Sequence, residues 1–258
     1  MSRRSIMCGR AGHDRGPLGS SGPGGARAER GERVSPWTIG LRSARANLVP
    51  GLILQLMAVG VVVAYYRSAD VQAVLQVVGD WQREYGVVFS ILTRVVFNGM
   101  VPALFCALVP GLHQRRPWAA LWFGMIWWAI MGANTHVFYH GQAMLWGTEP
   151  SLRVVLLKTA TDMLVYSPLY ASPITALAHL WQDLDYSLVA TRQQLGQGWY
   201  RRLVLPNQVP GWTFWTPGVM ILYSLPLDLQ LPMAALLGCF WALMCLQIAL
   251  RTPLQLSS

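Results

Sequence analysis

The sequence predicts an all-α protein: a polytopic bundle of membrane helices with about five spans, an amphipathic helix and a short re-entrant or partial segment. Hydrophobic residues make up 53% of the 258-residue chain and charged residues only 12%, about half the ~25% usual in soluble domains. Several apolar segments reach the roughly 17–25 residues that a helix needs to cross the hydrocarbon core. Together these observations favour a membrane bundle over the competing class, a soluble all-α protein.

Residues 1–45 predict a disordered, basic, cytoplasmic tail, which precedes a transmembrane domain at 46–252 and a short C-terminal tail at 253–258. The first 45 residues are rich in Gly, Arg and Ser and contain nine of the twenty basic residues, a composition typical of disorder. A net charge of +9 would suggest nucleic-acid binding in a soluble protein. Positive charge beside a membrane span instead marks the cytoplasmic side, so we expect the lipid bilayer, and no nucleic acid, as partner.

The five predicted spans are residues 48–66, 87–109, 118–146, 152–180 and 229–250. Between the first two, apolar residues at helical spacing predict an amphipathic helix at the interface or packed on the bundle; they are Val71, Val74, Leu75, Val78, Trp81 and Tyr85. Residues 212–226 are short and contain two prolines, so they predict a partial or re-entrant element. If that element crosses the bilayer, the C-terminus changes side.

The basic residues predict that the N-terminus lies in the cytoplasm. With five spans, fourteen basic residues fall on the cytoplasmic side and four on the other, the bias that orients membrane proteins. The acidic residues Asp14, Glu29 and Glu32 argue against a mitochondrial presequence, which would be poor in acids. A bacterial inner (plasma) membrane is therefore favoured, with the mitochondrial inner membrane as the alternative.

Ionisable side chains inside the predicted spans identify the candidate site. Lys158 and Asp162 lie four residues apart on one helical face, which Tyr166 extends. A charge at the centre of a membrane helix is unfavourable by roughly 2.5–3.5 kcal/mol, so such residues usually face a bundle interior or a watery cavity. The candidate residues of the polar path or core network are Arg94, Asn98, Asn134, His136, His140, Lys158, Asp162 and Tyr166. The simplest arrangement pairs Asp162 with Arg94 or Lys158, and the His and Asn side chains add hydrogen bonds.

These residues permit three functions. They can form a structural polar core that fixes helix packing, or line a hydrophilic path for small solutes or ions. His136 and His140 have the i, i+4 spacing of two metal ligands, but the sequence THVFYHGQ lacks the Glu of the HExxH motif. No nucleophile elbow, phosphate loop or CxxC pair is present, so we expect no enzyme, no resident metal and no cofactor, and an intramembrane metalloenzyme is kept only as a further alternative.

The segment LKTATDMLVYSPLYASP resembles the Lys-then-Asp segment of the Mpv/peroxisomal-membrane-protein family of small integral membrane proteins. Lys158, Asp162 and Pro168 match the pattern there, whereas Met163 stands in place of a Gln. The segment WYRRLVLPNQVPGWTFWTPGVMILY places Pro206 and Pro217 at two further proline positions of the family. The resemblance implies a divergent, bacterial member: a multi-helix membrane protein suspected of forming a pore or channel, with no established cofactor.

Overall fold

Helices make up nearly the whole of the described chain. The computed structural model describes residues 48–109 and 116–251 and the single positions 41, 45 and 112, with side chains as far as 244 and at 246. The elements in order are α1 Leu48–Arg67, α2 Ala69–Arg94, π1 Val95–Met100, α3 Val101–Leu108, α4 Pro117–Trp146, α5 Leu152–Ala160, π2 Thr161–Ala171, α6 Ser172–Asp183, α7 Leu188–Gln194, α8 Trp199–Leu203, α9 Leu205–Tyr223 and α10 Leu227–Arg251, where π marks the wider π-helical turn. The predicted all-α class is confirmed for these residues, among which no strand occurs. The predicted tails at 1–45 and 253–258 lie outside the described residues, apart from positions 41 and 45.

Serine side chains begin three of the helices. Ser68, Ser151 and Ser187 precede α2, α5 and α7, and each accepts a hydrogen bond from the backbone N–H three residues later, at 3.2–3.4 Å. Such caps satisfy an N–H group that has no partner within the helix. They stabilise the residue at which each of these helices begins.

The predicted amphipathic helix is the first half of α2 and is packed on the bundle. Its inward residues Leu75 and Val78 contact a core cluster formed by Tyr65, Leu225 and Leu229. It runs into the predicted second span through Gly86, whose φ of 52° and ψ of −122° interrupt the helix. That conformation is open to glycine and unfavourable for residues with a Cβ, so Gly86 provides the bend between the two halves.

Helix α10, the predicted fifth span, lies at the centre of the bundle. Most of its side chains from Leu229 to Cys239 are buried, and it contacts α1, α2, π1, α3, α4 and α9. Helix α1 is the opposite case, since only Gly51, Gln55 and Tyr65 of its 20 residues are buried. Burial on most sides between Leu229 and Cys239 is consistent with the absence of charged residues in that part of α10.

Three of the described helices are long and apolar enough to cross a membrane: Leu48–Arg67, Ala69–Leu108 and Leu227–Met244. They correspond to the predicted first, second and fifth spans, and they favour a membrane location. The predicted third span is the 30-residue helix α4, and the fourth is divided into α5, π2 and α6. Both segments contain polar and aromatic side chains, which lower their apolar character; division by a π-helical turn does not set the fourth apart, since Ala69–Leu108 is divided in the same way.

Residues 212–226 do not form an isolated partial element. They belong mostly to α9, which begins at Leu205 and has 19 residues. At 1.5 Å per residue such a helix is about 28 Å long. The two internal prolines, Pro210 and Pro217, do not end it, so the prediction of a short segment was wrong in its length.

Candidate functional site

The hydroxyl group of Tyr223 lies at the centre of a buried polar cluster that joins three helical segments. It donates a hydrogen bond to Oδ2 of Asp162 in π2, at 2.7 Å. It accepts one from Nε2 of Gln142 in α4, at 2.9 Å. All three side chains are buried, with 2%, 6% and 1% of Tyr223, Asp162 and Gln142 exposed. The Asp162 carboxylate is thus held by a neutral donor from α9.

Two cations accompany this carboxylate. Lys158 is 1% exposed, and its Nζ lies 5.9 Å from the centre of the Tyr223 ring, a cation–π distance. Arg94 is 8% exposed and lies close enough to Asp162 for electrostatic attraction. Arg94, Lys158, Asp162 and Tyr223 therefore form what we call the central charge cluster.

The predicted direct pairing of Asp162 with Arg94 or Lys158 was wrong. The ion pairs between described residues join Arg83 to Asp80 and to Asp228, and neither cation of the central charge cluster lies within 4 Å of the Asp162 carboxylate. The near partner of that carboxylate is instead the neutral Tyr223 hydroxyl. No sequence pattern indicated this role, since a tyrosine near the end of a membrane helix is also typical of an interfacial anchor.

The guanidinium of Arg94 and the amide of Asn98 converge on the backbone of Gly238 in α10. A Cβ placed at Gly238 would lie 2.6 Å from Asn98 Nδ2 and 3.6 Å from Arg94 Nη1, so only glycine fits here without displacement. Arg94 Nε and Asn98 Oδ1 are buried and have no hydrogen-bond partner among the described residues. Unsatisfied buried polar atoms are uncommon and costly, which makes this corner the least satisfied part of the cluster.

Asn134 and Tyr166, both predicted site residues, come together beside the central charge cluster. The Tyr166 hydroxyl donates to Asn134 Oδ1, and Asn134 Nδ2 donates to the hydroxyl of Tyr170 at 3.0 Å. The Tyr166 ring stacks on Phe138, with ring centres 3.8 Å apart. This group joins α4 to π2.

His136 and His140 are engaged separately from Asp162. Nδ1 of His136 lies 3.0 Å from Ser90 Oγ in α2, and Nδ1 of His140 donates to the carbonyl of His136 at 2.9 Å. Their rings stack with centres 4.1 Å apart. Within the described part of the chain, no group of three or more His, Cys, Asp or Glu side chains is arranged to hold a metal ion.

Two prolines remove backbone donors from this region, Pro168 within π2 and Pro173 just after it in α6, and other helices bind both of the carbonyls that are left free. In a π-helix each N–H bonds to the carbonyl five residues earlier, as the N–H of Ser172 does with Ser167. Pro168 and Pro173 have no backbone N–H group. The carbonyls five residues before them, at Met163 and Pro168, therefore lack a donor within the helix. Instead the indole N–H of Trp212 donates to the Met163 carbonyl at 2.9 Å, and the Tyr200 hydroxyl to the Pro168 carbonyl at 2.8 Å.

Buried glutamines form a further set of contacts that the sequence analysis missed. Gln55 Nε2 donates to the carbonyl of Phe214, and Gln230 Nε2 to that of Leu225, both at 2.8 Å. Gln208 Nε2 donates to Ser167 Oγ at 2.9 Å. One buried glutamine in each of several apolar helices is a detectable signal, and it predicts cross-links between helices.

No family model, curated protein or solved structure matches this chain. The three residues of the sequence resemblance are placed differently in the structure: Lys158 and Asp162 belong to the central charge cluster, whereas Pro168 shapes π2. Function is therefore inferred from the cluster itself.

Proposed function

We propose that this chain is a multi-pass membrane protein of the Mpv/peroxisomal-membrane-protein type that is channel-like and passes small solutes or ions. The observation that supports the proposal best is the central charge cluster, in which three ionisable side chains are buried without a direct ion pair. A core built only for packing could use neutral groups, because each charge at membrane depth is unfavourable by roughly 2.5–3.5 kcal/mol. The presence of Arg94, Lys158 and Asp162 therefore favours a role in which these charges interact with a solute.

In this proposal the structure represents a closed state. Tyr223 covers the Asp162 carboxylate and lies beside Lys158, and the backbone of Gly238 covers Arg94 and Asn98. Both covers belong to the C-terminal helices α9 and α10. A path along the charge cluster therefore opens when α9 and α10 move away from α2 and π2.

The proposal keeps five membrane spans, an N-terminus in the cytoplasm and a bacterial inner membrane, with the mitochondrial inner membrane as the alternative. The three long apolar helices supply part of the count. Helix α4 and the α5–π2–α6 segment supply the other two, and their polar side chains Asn134 and Tyr166 are turned toward each other. Both segments also reach the Tyr223 hydroxyl of α9, through Gln142 and Asp162. Polar residues in membrane helices usually face the bundle interior.

A membrane scaffold is the second candidate, and the chain of hydrogen bonds from Gln142 through Tyr223 to Asp162 favours it. Those groups bond to one another across three helical segments, as a structural core would, although Gln142 Oε1 has no partner among the described residues. The metalloenzyme alternative has less support, because His136 and His140 are each bonded through Nδ1 and stack on one another.

Solute flux into liposomes separates the channel from the scaffold. Purified protein is reconstituted, and the flux of small charged and neutral solutes is compared among the wild type, Asp162→Asn, Lys158→Met and the exposed control Asp70→Asn. The channel proposal expects flux above that of empty liposomes, a change in both cluster variants and none in the control. Absence of flux from correctly folded protein, or equal flux in all four, would favour the scaffold.

A further inference from the structure

We infer that the path selects small anions over cations, and that Arg94 together with Asn98 forms its anion-binding point. This inference rests on the channel-like function proposed above and names the solute class of the same site. It is carried by the formal charges in the bundle and by the geometry at Gly238.

The buried charges are unequal in number. Among the buried side chains that the structure describes, Arg94 and Lys158 are formally cationic and Asp162 alone is anionic. The other carboxylates that pair with arginine, Asp80 and Asp228, serve Arg83 at the surface. In a region of low dielectric constant, one unit of excess charge acts over several ångströms, so the interior attracts anions.

The single buried carboxylate is also the best satisfied of the three charges. Asp162 accepts a short hydrogen bond from Tyr223, whereas Arg94 retains a buried Nε without an acceptor among the described residues. Arginine stays protonated in proteins, so its charge is permanent. A solute that binds to Arg94 and Asn98 must therefore have a hydrogen-bond acceptor and a negative charge.

The donors at this corner converge on one point. Asn98 Nδ2 and Arg94 Nη1 approach the position at which a side chain of Gly238 would begin, at 2.6 and 3.6 Å. Two N–H donors from successive turns of one helical segment, one of them charged, form the kind of site that binds a small anion. The absence of a side chain at Gly238 leaves that point covered by backbone alone, which a shift of α10 uncovers.

The test is the reversal potential of the full-length protein in planar bilayers under a potassium chloride gradient. For the wild type, the reversal potential is expected to lie closer to the equilibrium potential of chloride than to that of potassium. Arg94→Gln should reduce the chloride-to-potassium permeability ratio by about tenfold, since a unit charge is lost near the path. Arg94→Lys should retain anion preference, Asp162→Asn should increase it, and the exposed control Arg67→Gln should leave it unchanged.

The outcomes distinguish this inference from the function on which it rests. Bilayers that show no conductance with folded protein remove the channel, and the anion inference with it. Conductance that prefers potassium, or a permeability ratio that Arg94→Gln and Asp162→Asn both leave unchanged, overturns anion selection while the channel stands. If Arg94→Gln fails to fold, the opposite shifts expected for Asp162→Asn and for Lys158→Met decide the question.

Discussion

The hydroxyl of Tyr223 serves two partners at once, and its removal is the sharpest single-atom test of the cluster. Tyr223→Phe leaves the buried Asp162 without its donor and Gln142 without its acceptor. An unsatisfied buried group costs about 1–3 kcal/mol, more than the ~0.6 kcal/mol average of a hydrogen bond between membrane helices. We expect a clear loss in the free energy of unfolding, measured by denaturant titration in detergent. Tyr85→Phe, at an exposed tyrosine, is the control, and equal losses in the two variants would contradict the central role of Tyr223.

Glycines at two helix contacts make a second prediction at the residue scale. Gly238→Ala places a methyl group 2.6 Å from Asn98 Nδ2, so we expect it to destabilise the bundle and Asn98→Ala in the same chain to restore part of the loss. Gly132→Ala meets the backbone of Ile91 and Ser90 at 2.9 Å, and no side-chain truncation relieves that contact. Gly141→Ala is the control, since nothing lies within 4 Å there. The thermal unfolding midpoints of the variants measure these losses. An unchanged midpoint for Gly238→Ala would show that α10 lies farther from Asn98.

At the scale of the helix, π2 depends on donors from α8 and α9. Trp212→Phe removes the N–H that binds the Met163 carbonyl, and we expect it to lower stability by about 1 kcal/mol. Pro168→Ala restores a backbone N–H that reaches the same carbonyl in the π-helical pattern. The double variant should therefore lose less than the sum of the single losses. Strict additivity in a double-mutant cycle would show that the two groups do not share this carbonyl.

The helical elements were largely predictable from the sequence, whereas their interruptions were not. Apolar runs predict α1, α4 and α10 because this signal is local. At Gly86 the carbonyl is bound by Gln82 and Ser90, each only four residues away, so this break is a local feature that the apolar pattern does not reveal. The π-helical course that begins at Thr161 depends on distant partners, since Trp212 and Tyr200 bind its free carbonyls. The candidate site shows the same limit: the charged residues were identified, but their shared partner Tyr223 lies 61 positions from Asp162. A sequence pattern holds no information on which neutral side chain reaches a carboxylate across the bundle.

At the scale of the whole molecule, burial is uneven, and this determines where the bundle meets lipid. Helix α1 exposes most of its apolar side chains, among them Leu52, Leu56 and Met57, while α10 hides Leu229, Leu231 and Leu237. A membrane protein has no hydrophobic gain from burying one apolar helix rather than another. The central place of α10 must then come from close packing at Gly238 and from its polar contacts, of which the Arg83–Asp228 ion pair at 2.8 Å is one.

This arrangement predicts which helices a lipid-soluble reagent can reach. A carbene-forming diazirine dissolved in the bilayer should label α1 strongly and leave the first half of α10 almost unlabelled, because labelling requires direct contact with the reagent in the hydrocarbon. Mass spectrometry of peptides from reconstituted protein measures the difference, and protein unfolded in detergent should label both helices and so provide the control. Comparable labelling of α1 and α10 in the bilayer would place α10 at the lipid boundary. The cover over Arg94 would then be an outer helix rather than the core, and the Arg94 end of the proposed path would need only a peripheral movement of α10 to open.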